Sequence, residues 1–230
     1  MFGFILTNAK DYKEVKAYAD KFGVDTIKIV PTWGIPWDKD YNRIRILRGF
    51  KNVIIRTPNG DPLSGKPYLH WEEVIAYIKP FYRYRRDIII QLGNEPNNGF
   101  ISPEGYAYHF QLSIDACKRE FPLAKLISAP LQQRNKNEIW NTALFECTMQ
   151  CDYTGIHLYE DFTFIGSVRE QETINQYPLD LYPPLFICEA GINVPKLTRI
   201  QECRLLETRY GNAVWYHRVA DKKLHGHYHL

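Results

Sequence analysis

The stretch that decides the fold of this chain is Asp87-Ile-Ile-Ile-Gln-Leu-Gly-Asn-Glu-Pro-Asn97. Three isoleucines in a row, flanked by a charged residue and a glycine, are typical of a short strand that is buried on both faces, as in parallel sheets. The segment ends in Asn94-Glu95. Because a carboxylate at the end of a buried strand is costly unless it faces a cleft or has partners, we expect chemistry at this end of the strand.

A second stretch, Leu185-Phe-Ile-Cys-Glu-Ala-Gly191, has the same arrangement. It is again an apolar run, and it contains one glutamate, Glu189, near the end of a predicted strand. Two glutamates at strand ends are what a two-carboxylate hydrolase needs. The alternative interpretation is that both are structural ion-pair partners.

Strand patterns and helical patterns alternate along the chain. The predicted strands are 2–7, 25–30, 52–56, the opening stretch, 125–129, 153–158, 185–188 and 213–217. The predicted helices are 11–22, 40–48, 70–81, 103–120, 136–147, 167–176 and 195–210. This order predicts an α/β fold with a parallel sheet, and eight units favour a single-domain (β/α)8 TIM barrel with short loops over residues 1–230.

An open doubly wound sheet is the alternative fold. It is less favoured because no glycine-rich phosphate loop follows the first predicted strand. In a barrel, strands four and seven face each other across the mouth, so Glu95 and Glu189 converge. An open sheet gives no reason for them to do so.

Composition limits the function classes. The chain has 230 residues, 45% of them hydrophobic and 24% charged, which suits a soluble globular domain. A net charge of +3 is too small to indicate nucleic acid as a partner. The sequence has no apolar run of about eighteen residues, so we expect no membrane span, and the N-terminus lacks the basic region of a signal peptide. We expect a cytoplasmic monomer, or a protein released by lysis, as a phage-encoded one would be.

Five cysteines and a histidine-containing tail are the candidate metal ligands in the sequence. Cys147 and Cys151 form a CxxxC pair without a second pair or nearby histidines, so reduced, buried thiols are favoured over zinc. His225, His227 and His229 have a ligand-like spacing but no carboxylate partner. We therefore predict no metal site.

The two glutamate segments resemble a known group of enzymes. Gly93-Asn94-Glu95-Pro96-Asn97 at the fourth strand and Cys188-Glu189-Ala190-Gly191 at the seventh are similar to the retaining β/α-barrel glycoside hydrolases of clan A, the four-seven superfamily. In that clan an Asn-Glu pair ends strand four and a second Glu ends strand seven. The resemblance implies that Glu95 is the acid/base and Glu189 the nucleophile.

Retention of configuration explains why two glutamates are needed. The two carboxyl groups stand roughly 5 to 5.5 Å apart, one protonated to donate to the leaving oxygen and one ionised to attack the anomeric carbon. The Asn94 amide can donate to the 2-hydroxyl of the sugar, a hydrogen bond that strengthens in the transition state.

Other residues are predicted to bind the sugar or orient the glutamates. His157 and Tyr159 lie two apart on the sixth predicted strand and point to the same side. The clan resemblance makes Tyr159 the candidate to orient Glu189, makes Trp215 the floor under the sugar, and suggests that Arg56 holds Glu189 ionised through a bidentate bond. The alternative for His157 and Trp215 is core packing.

Three further residues lie on loops that we predict to be at the mouth. Trp33, Trp37 and His70 would extend the sugar-binding groove, and the alternative is that they anchor the loops.

These observations predict a retaining glycosidase that cleaves β-linked polysaccharide or oligosaccharide and needs no cofactor. A carbohydrate-binding barrel without turnover, within a larger assembly, is the alternative function. An isomerase or aldolase would need a lysine at a strand end to form a Schiff base, or a phosphate site near strands seven and eight. This function is disfavoured, because Lys28 lies inside the second predicted strand rather than clearly at its mouth.

Overall fold

The structure, a computed structural model, describes residues 2–6, 12–31, 47–59, 70–98, 101–132, 137–159, 176–177, 180–191 and 215–218. The strands in these ranges are β1 (Phe2–Leu6), β2 (Thr26–Ile29), β3 (Asn52–Arg56), β4 (Ile89–Gln91), β5 (Lys125–Ile127), β6 (Thr154–Tyr159), β7 (Leu185–Gly191) and β8 (Trp215–Arg218). The α-helices are α1 (Tyr12–Phe22), α2 (Trp71–Tyr84), α3 (Pro103–Glu120) and α4 (Glu138–Met149).

All described strand pairings are parallel. Six strands form one sheet in the order β5-β4-β3-β2-β1-β8, and β6 pairs with β7. Isolated parallel bridges, Ile127 with Tyr153 and Leu131 with Ile156, connect the β5 side to β6. β7 also lies against β8. The predicted α/β class with parallel strands is therefore confirmed.

The strands bury both of their faces, as the apolar runs predict. One face includes Ile27 and Ile29 of β2, and it packs in a large cluster with residues from the helices, such as Val74 and Phe110. The other face forms a separate cluster of Val30, Ile54, Ile89, Ile127, Phe186 and Cys188. We call the side of the sheet that carries this second cluster the inner side. Because side chains alternate along a strand, Lys28 and Arg56 also belong to the inner side.

The helices begin and end close to the predicted positions. α3 starts at Pro103 after the N-cap Ser102, whose hydroxyl accepts a hydrogen bond of 3.0 Å from the Gly105 amide. Such a cap satisfies a backbone donor that the first helical turn leaves free. α2 extends three residues beyond the predicted end, to Tyr84, and buries Val74, Tyr77, Ile78 and Phe81 along one face.

Some predicted elements lie outside the described residues. These are the helix at 195–210, the helix at 167–176 except its last residue, and most of the helix at 40–48. Residues 47–49, at the end of this last segment, form a 3-10 turn. Among the described helices, none combines the length and the apolar character needed to cross a bilayer.

Candidate active site

The segment after β4 is held in an unusual backbone conformation. Gly93 has φ +74° and Glu95 has φ +46°, in the left-handed region that residues with a Cβ rarely adopt. The Gly93 amide donates to Thr57 Oγ1 at 2.7 Å, and the Glu95 amide donates to the Pro130 carbonyl at 2.8 Å. These bonds tie the segment to its neighbours after β3 and β5, so the strained conformation of Glu95 is imposed by the surrounding structure.

Only glycine fits at position 93. A Cβ on this residue would lie 2.2 Å from the Tyr106 hydroxyl oxygen of α3. The backbone therefore approaches the helix closely before it turns toward Glu95.

Glu95 contacts a histidine from β6. Its Oε1 lies 2.8 Å from His157 Nδ1, and the two side chains are 18% and 0% exposed. The sequence left open whether His157 is a core residue or a site residue. It is buried as a core residue would be, yet its ring is bonded to the predicted acid/base.

A β-bulge determines the direction of Glu189. Ile156 of β6 pairs with Ile187 of β7, but the next residue of β6, His157, pairs with Glu189. Cys188 is therefore the extra residue of the bulge. Since Cys188 lies in the inner cluster and Glu189 contacts inner residues of β2 and β3, the bulge turns two consecutive side chains to the inner side.

Two cations hold the Glu189 carboxylate. Lys28 Nζ lies 3.1 Å and Arg56 Nη1 lies 3.4 Å from the same oxygen, Oε1. Lys28 Nζ also donates to the Cys188 carbonyl at 3.0 Å. The predicted contact between Arg56 and Glu189 exists, but it is a single contact of one nitrogen rather than the bidentate bond that we expected, and Lys28 bonds the same oxygen.

Burial acts on the ionisation of this cluster. It lowers the pKa of the fully buried Lys28 below its ordinary value, and the Glu189 carboxylate opposes that shift. Burial also raises the pKa of the neighbouring Cys188 thiol to about 12, so that Cys188 is neutral at physiological pH.

Asn94 is oriented by the preceding segment. Its Oδ1 accepts a hydrogen bond of 3.4 Å from Gln91 Nε2, and its backbone carbonyl accepts one of 2.8 Å from Asn59 Nδ2. Because Gln91 takes the side-chain oxygen, the Asn94 amide nitrogen is the atom that remains to donate to a ligand.

The described ring contact of His70 is with a helix residue and not with this cluster. His70 is the N-cap residue of α2, and its ring packs against His109 of α3 with centroids 5.4 Å apart. This position between two helices favours the loop-anchor interpretation of His70. Trp33 and Trp37 lie outside the described residues.

Two predicted residues are described by their backbone alone. Tyr159 is the last residue of β6 and pairs with Gly191. Trp215 is the first residue of β8 and pairs with Phe2 at the N-terminal end of β1. Their roles toward Glu189 and the sugar remain predictions.

Lys28 belongs to the site although its position inside a predicted strand did not indicate this. The signal was present, because a lysine in the middle of the apolar strand Thr26-Ile-Lys-Ile29 has to find a partner for its charge. The sequence does not show which partner that is, since Glu189 lies more than 150 positions away.

Comparisons with known proteins identify the fold. Neither the protein-family models nor the curated proteins contain a match. Among solved structures, a GH128 exo-β-1,3-glucanase from Aureobasidium namibiae matches with a TM-score of 0.63 and 14% identity, over 98% of this chain and 85% of that chain. A monomeric β-xylosidase from Caulobacter crescentus matches with a TM-score of 0.64 and 11% identity, over 94% of this chain and 59% of that chain.

A third structure is Saccharomyces cerevisiae Gas2p in complex with laminaritetraose and laminaripentaose. Its TM-score is 0.59 and its identity is 13%, over 95% of this chain. The chain spans 53% of the length of that structure. These proteins are glycoside hydrolases of clan A, so the fold resemblance stated from the sequence is confirmed.

Proposed function

We propose that this chain is a retaining glycoside hydrolase that cleaves β-linked oligosaccharide or polysaccharide on a closed (β/α)8 barrel. The observation that carries the proposal is the link between the two glutamates through His157. Its ring is 2.8 Å from the Glu95 carboxylate, and its Cα is the ladder partner of Glu189. Adjacent strands lie about 4.8 Å apart, so this link supports a common site for two glutamates that are distant in sequence.

In the first step Glu95 acts as an acid and Glu189 as a nucleophile. Glu95 gives its proton to the glycosidic oxygen while a carboxylate oxygen of Glu189 forms a bond to the anomeric carbon. Lys28 and Arg56 favour the ionised form of Glu189, which is the form that attacks.

In the second step Glu95 acts as a base. It takes a proton from the water that attacks the anomeric carbon, and the bond between Glu189 and the sugar breaks. His157 suits both states of Glu95, since a ring nitrogen donates to a carboxylate in one tautomer and accepts from a carboxylic acid in the other.

The substrate class that we propose to test first is β-1,3-glucan. Two of the matched structures support this choice, because one is an exo-β-1,3-glucanase and another holds laminari-oligosaccharides. The Asn94 amide nitrogen would donate to the 2-hydroxyl of the sugar at the cleavage point.

Covalent trapping tests the proposal. The intact chain is incubated with a 2-fluoro β-glucoside that carries a good leaving group, and its peptides are mapped by mass spectrometry. We expect one sugar on Glu189, none on the Glu189→Gln variant, and retention of configuration in the product by NMR. An inverted product would contradict the mechanism.

A panel of β-glucans, mannans, xylans and peptidoglycan separates this function from its alternative. Hydrolysis that is lost in Glu95→Gln and Glu189→Gln supports the enzyme. Binding without hydrolysis, unchanged in Glu189→Gln, would instead favour a carbohydrate-binding barrel without turnover.

A further inference from the structure

Lys28 is a charged side chain in the interior of the fold. Its side chain is 0% exposed, in the middle of a strand whose other residues, Thr26, Ile27 and Ile29, are also buried. Burying an ammonium group this deeply is unfavourable unless partners compensate for the lost water. The partners are on β7, where Nζ bonds both the Glu189 carboxylate and the Cys188 carbonyl.

These two bonds fix the bulge as well as the carboxylate. The Cys188 carbonyl belongs to the extra residue of the bulge, and Glu189 is the residue that the bulge redirects. A single ammonium group therefore holds the backbone and the side chain at the point where β7 departs from regular pairing.

We propose that Lys28 is a positioning residue that acts through Glu189 and speeds the breakdown of the covalent glycosyl-enzyme. The proposal rests on the function proposed above. Lys28 would hold Glu189 in its attacking orientation and stabilise it as the leaving carboxylate.

The charge balance of the second step explains this effect. When the sugar is bound to Glu189, the carboxylate has become a neutral ester, and Lys28 and Arg56 face an ester instead of an anion. Water then forms a bond to the anomeric carbon and its proton passes to Glu95. The electron pair of the broken carbon–oxygen bond returns to Glu189, which becomes an anion beside two cations.

Lys28 and Arg56 are not equivalent in this arrangement. The Arg56 side chain is 22% exposed and its contact is longer, at 3.4 Å, so water screens its charge more than that of Lys28. Lysine also titrates, whereas arginine stays charged. The described charged and titratable groups that act on Lys28 are Glu189, Cys188 and Arg56, and burial lowers the pKa of Lys28.

The test compares Lys28→Met with a control, Lys125→Met, on the intact chain. Lys125 is an exposed strand lysine at the start of β5 and makes its described contacts with Tyr153. Both variants and the wild type are trapped with the 2-fluoro β-glucoside, freed of excess reagent, and followed as activity returns. We expect reactivation of Lys28→Met to be about ten- to a hundredfold slower, the loss typical for a charge-assisted bond, and Lys125→Met to match the wild type.

The pH profile gives a readout that a purely structural role would not change. Removing a cation from Glu189 disfavours its ionised form, so the acidic limb of kcat/KM should move to higher pH in Lys28→Met. Lys28→Arg restores the charge and should move the limb back. Slow breakdown of the intermediate should also lower kcat and KM together.

The outcomes separate the two proposals. If the wild type neither hydrolyses glycosides nor traps the sugar on Glu189, the proposed function fails. If the wild type does both, but Lys28→Met reactivates within about twofold of it with an unchanged acidic limb, the role of Lys28 is overturned while the function stands. If Lys28→Met does not fold, Lys28→Gln is tested instead. If neither variant folds, the role is also overturned, because Lys28 is then required for folding.

Discussion

His157 of β6 and Glu189 of β7 are ladder partners immediately after the bulge at Cys188. In a regular strand of the same sequence, the alternation of side chains would place Glu189 on the same side as Ile187, which packs in the helix-facing cluster. The bulge thus brings Glu189 to the same side of the sheet as the ring that contacts Glu95. The proposed chemistry depends on this one irregularity of pairing.

The first prediction concerns the contact between His157 and Glu95. Replacing His157 by Phe keeps most of the buried volume but removes the ring nitrogen 2.8 Å from Glu95. We expect kcat to fall by about tenfold or more, since loss of a bond to a charged group is worth roughly 1.5 to 3 kcal/mol. Steady-state kinetics measures this, with His109→Phe as control, because His109 lies on α3 against His70. Equal losses in the two variants would contradict the assignment.

The second prediction concerns Gly93. In Gly93→Ala, the alanine would have to adopt a positive φ, and its Cβ would lie 2.2 Å from the Tyr106 hydroxyl oxygen. The control is Gly23→Ala, where φ is similar, at +66°, but no atom lies within 4 Å of the added Cβ. The control should lose about 1 to 2 kcal/mol of unfolding free energy for the backbone alone. Gly93→Ala should lose a further ~1 to 3 kcal/mol for the steric overlap.

A double variant isolates the overlap at Gly93. Combining Gly93→Ala with Tyr106→Phe removes the clashing hydroxyl, so urea unfolding should show that part of the loss is recovered. Additive losses would mean that the hydroxyl is not the obstacle.

The third prediction concerns thiol reactivity. The four described cysteines are free and buried, and burial raises the pKa of Cys147 to about 11 and of Cys117 and Cys188 to about 12. Because the thiolate is the reactive form, none of the three should react with iodoacetamide at neutral pH in the native chain. Mass spectrometry should find them labelled only after unfolding in guanidinium chloride, and rapid native labelling of Cys188 would contradict its position.

The fourth prediction concerns stability at high pH. Burial raises the pKa of the Tyr106 and Tyr177 hydroxyls above the ordinary 10.0 and that of Cys117 above 9.0. In the folded chain these groups keep protons that the unfolded chain releases, so stability should fall as pH rises through 9 and 10. Lys28, whose pKa is lowered, acts in the opposite direction but is a single group. Urea midpoints from pH 7 to 11 check this, and Tyr106→Phe should flatten the slope.

Much of the fold follows from the sequence because buried parallel strands are apolar on both faces. The strand at 52–56 and the helix at 103–120 have the predicted bounds. β7 is three residues longer than predicted, because the polar end of the strand continues in the ladder beyond Cys188. Apolar patterns do not record how far backbone pairing extends once side chains become polar.

The site was only partly predictable, for a similar reason. The glutamates and Arg56 stand next to turn signals at strand ends, where polar residues are conspicuous. The contact of Lys28 with Glu189 joins residues on strands that are not neighbours in the described sheets, and it depends on a bulge that no local pattern in the sequence marks. The sequence shows Lys28 inside an apolar strand, but it does not show that Glu189 is the partner of this lysine.

The pairing of β8 with β1 has a consequence for biosynthesis. Residues 2–5 find their ladder partners in residues 215–218, so one edge of β1 has no described partner until residues 215–218 have been translated. During that interval the exposed edge can pair with other nascent chains. Chaperone dependence during translation, and slow refolding dominated by this distant closure, should therefore accompany this topology.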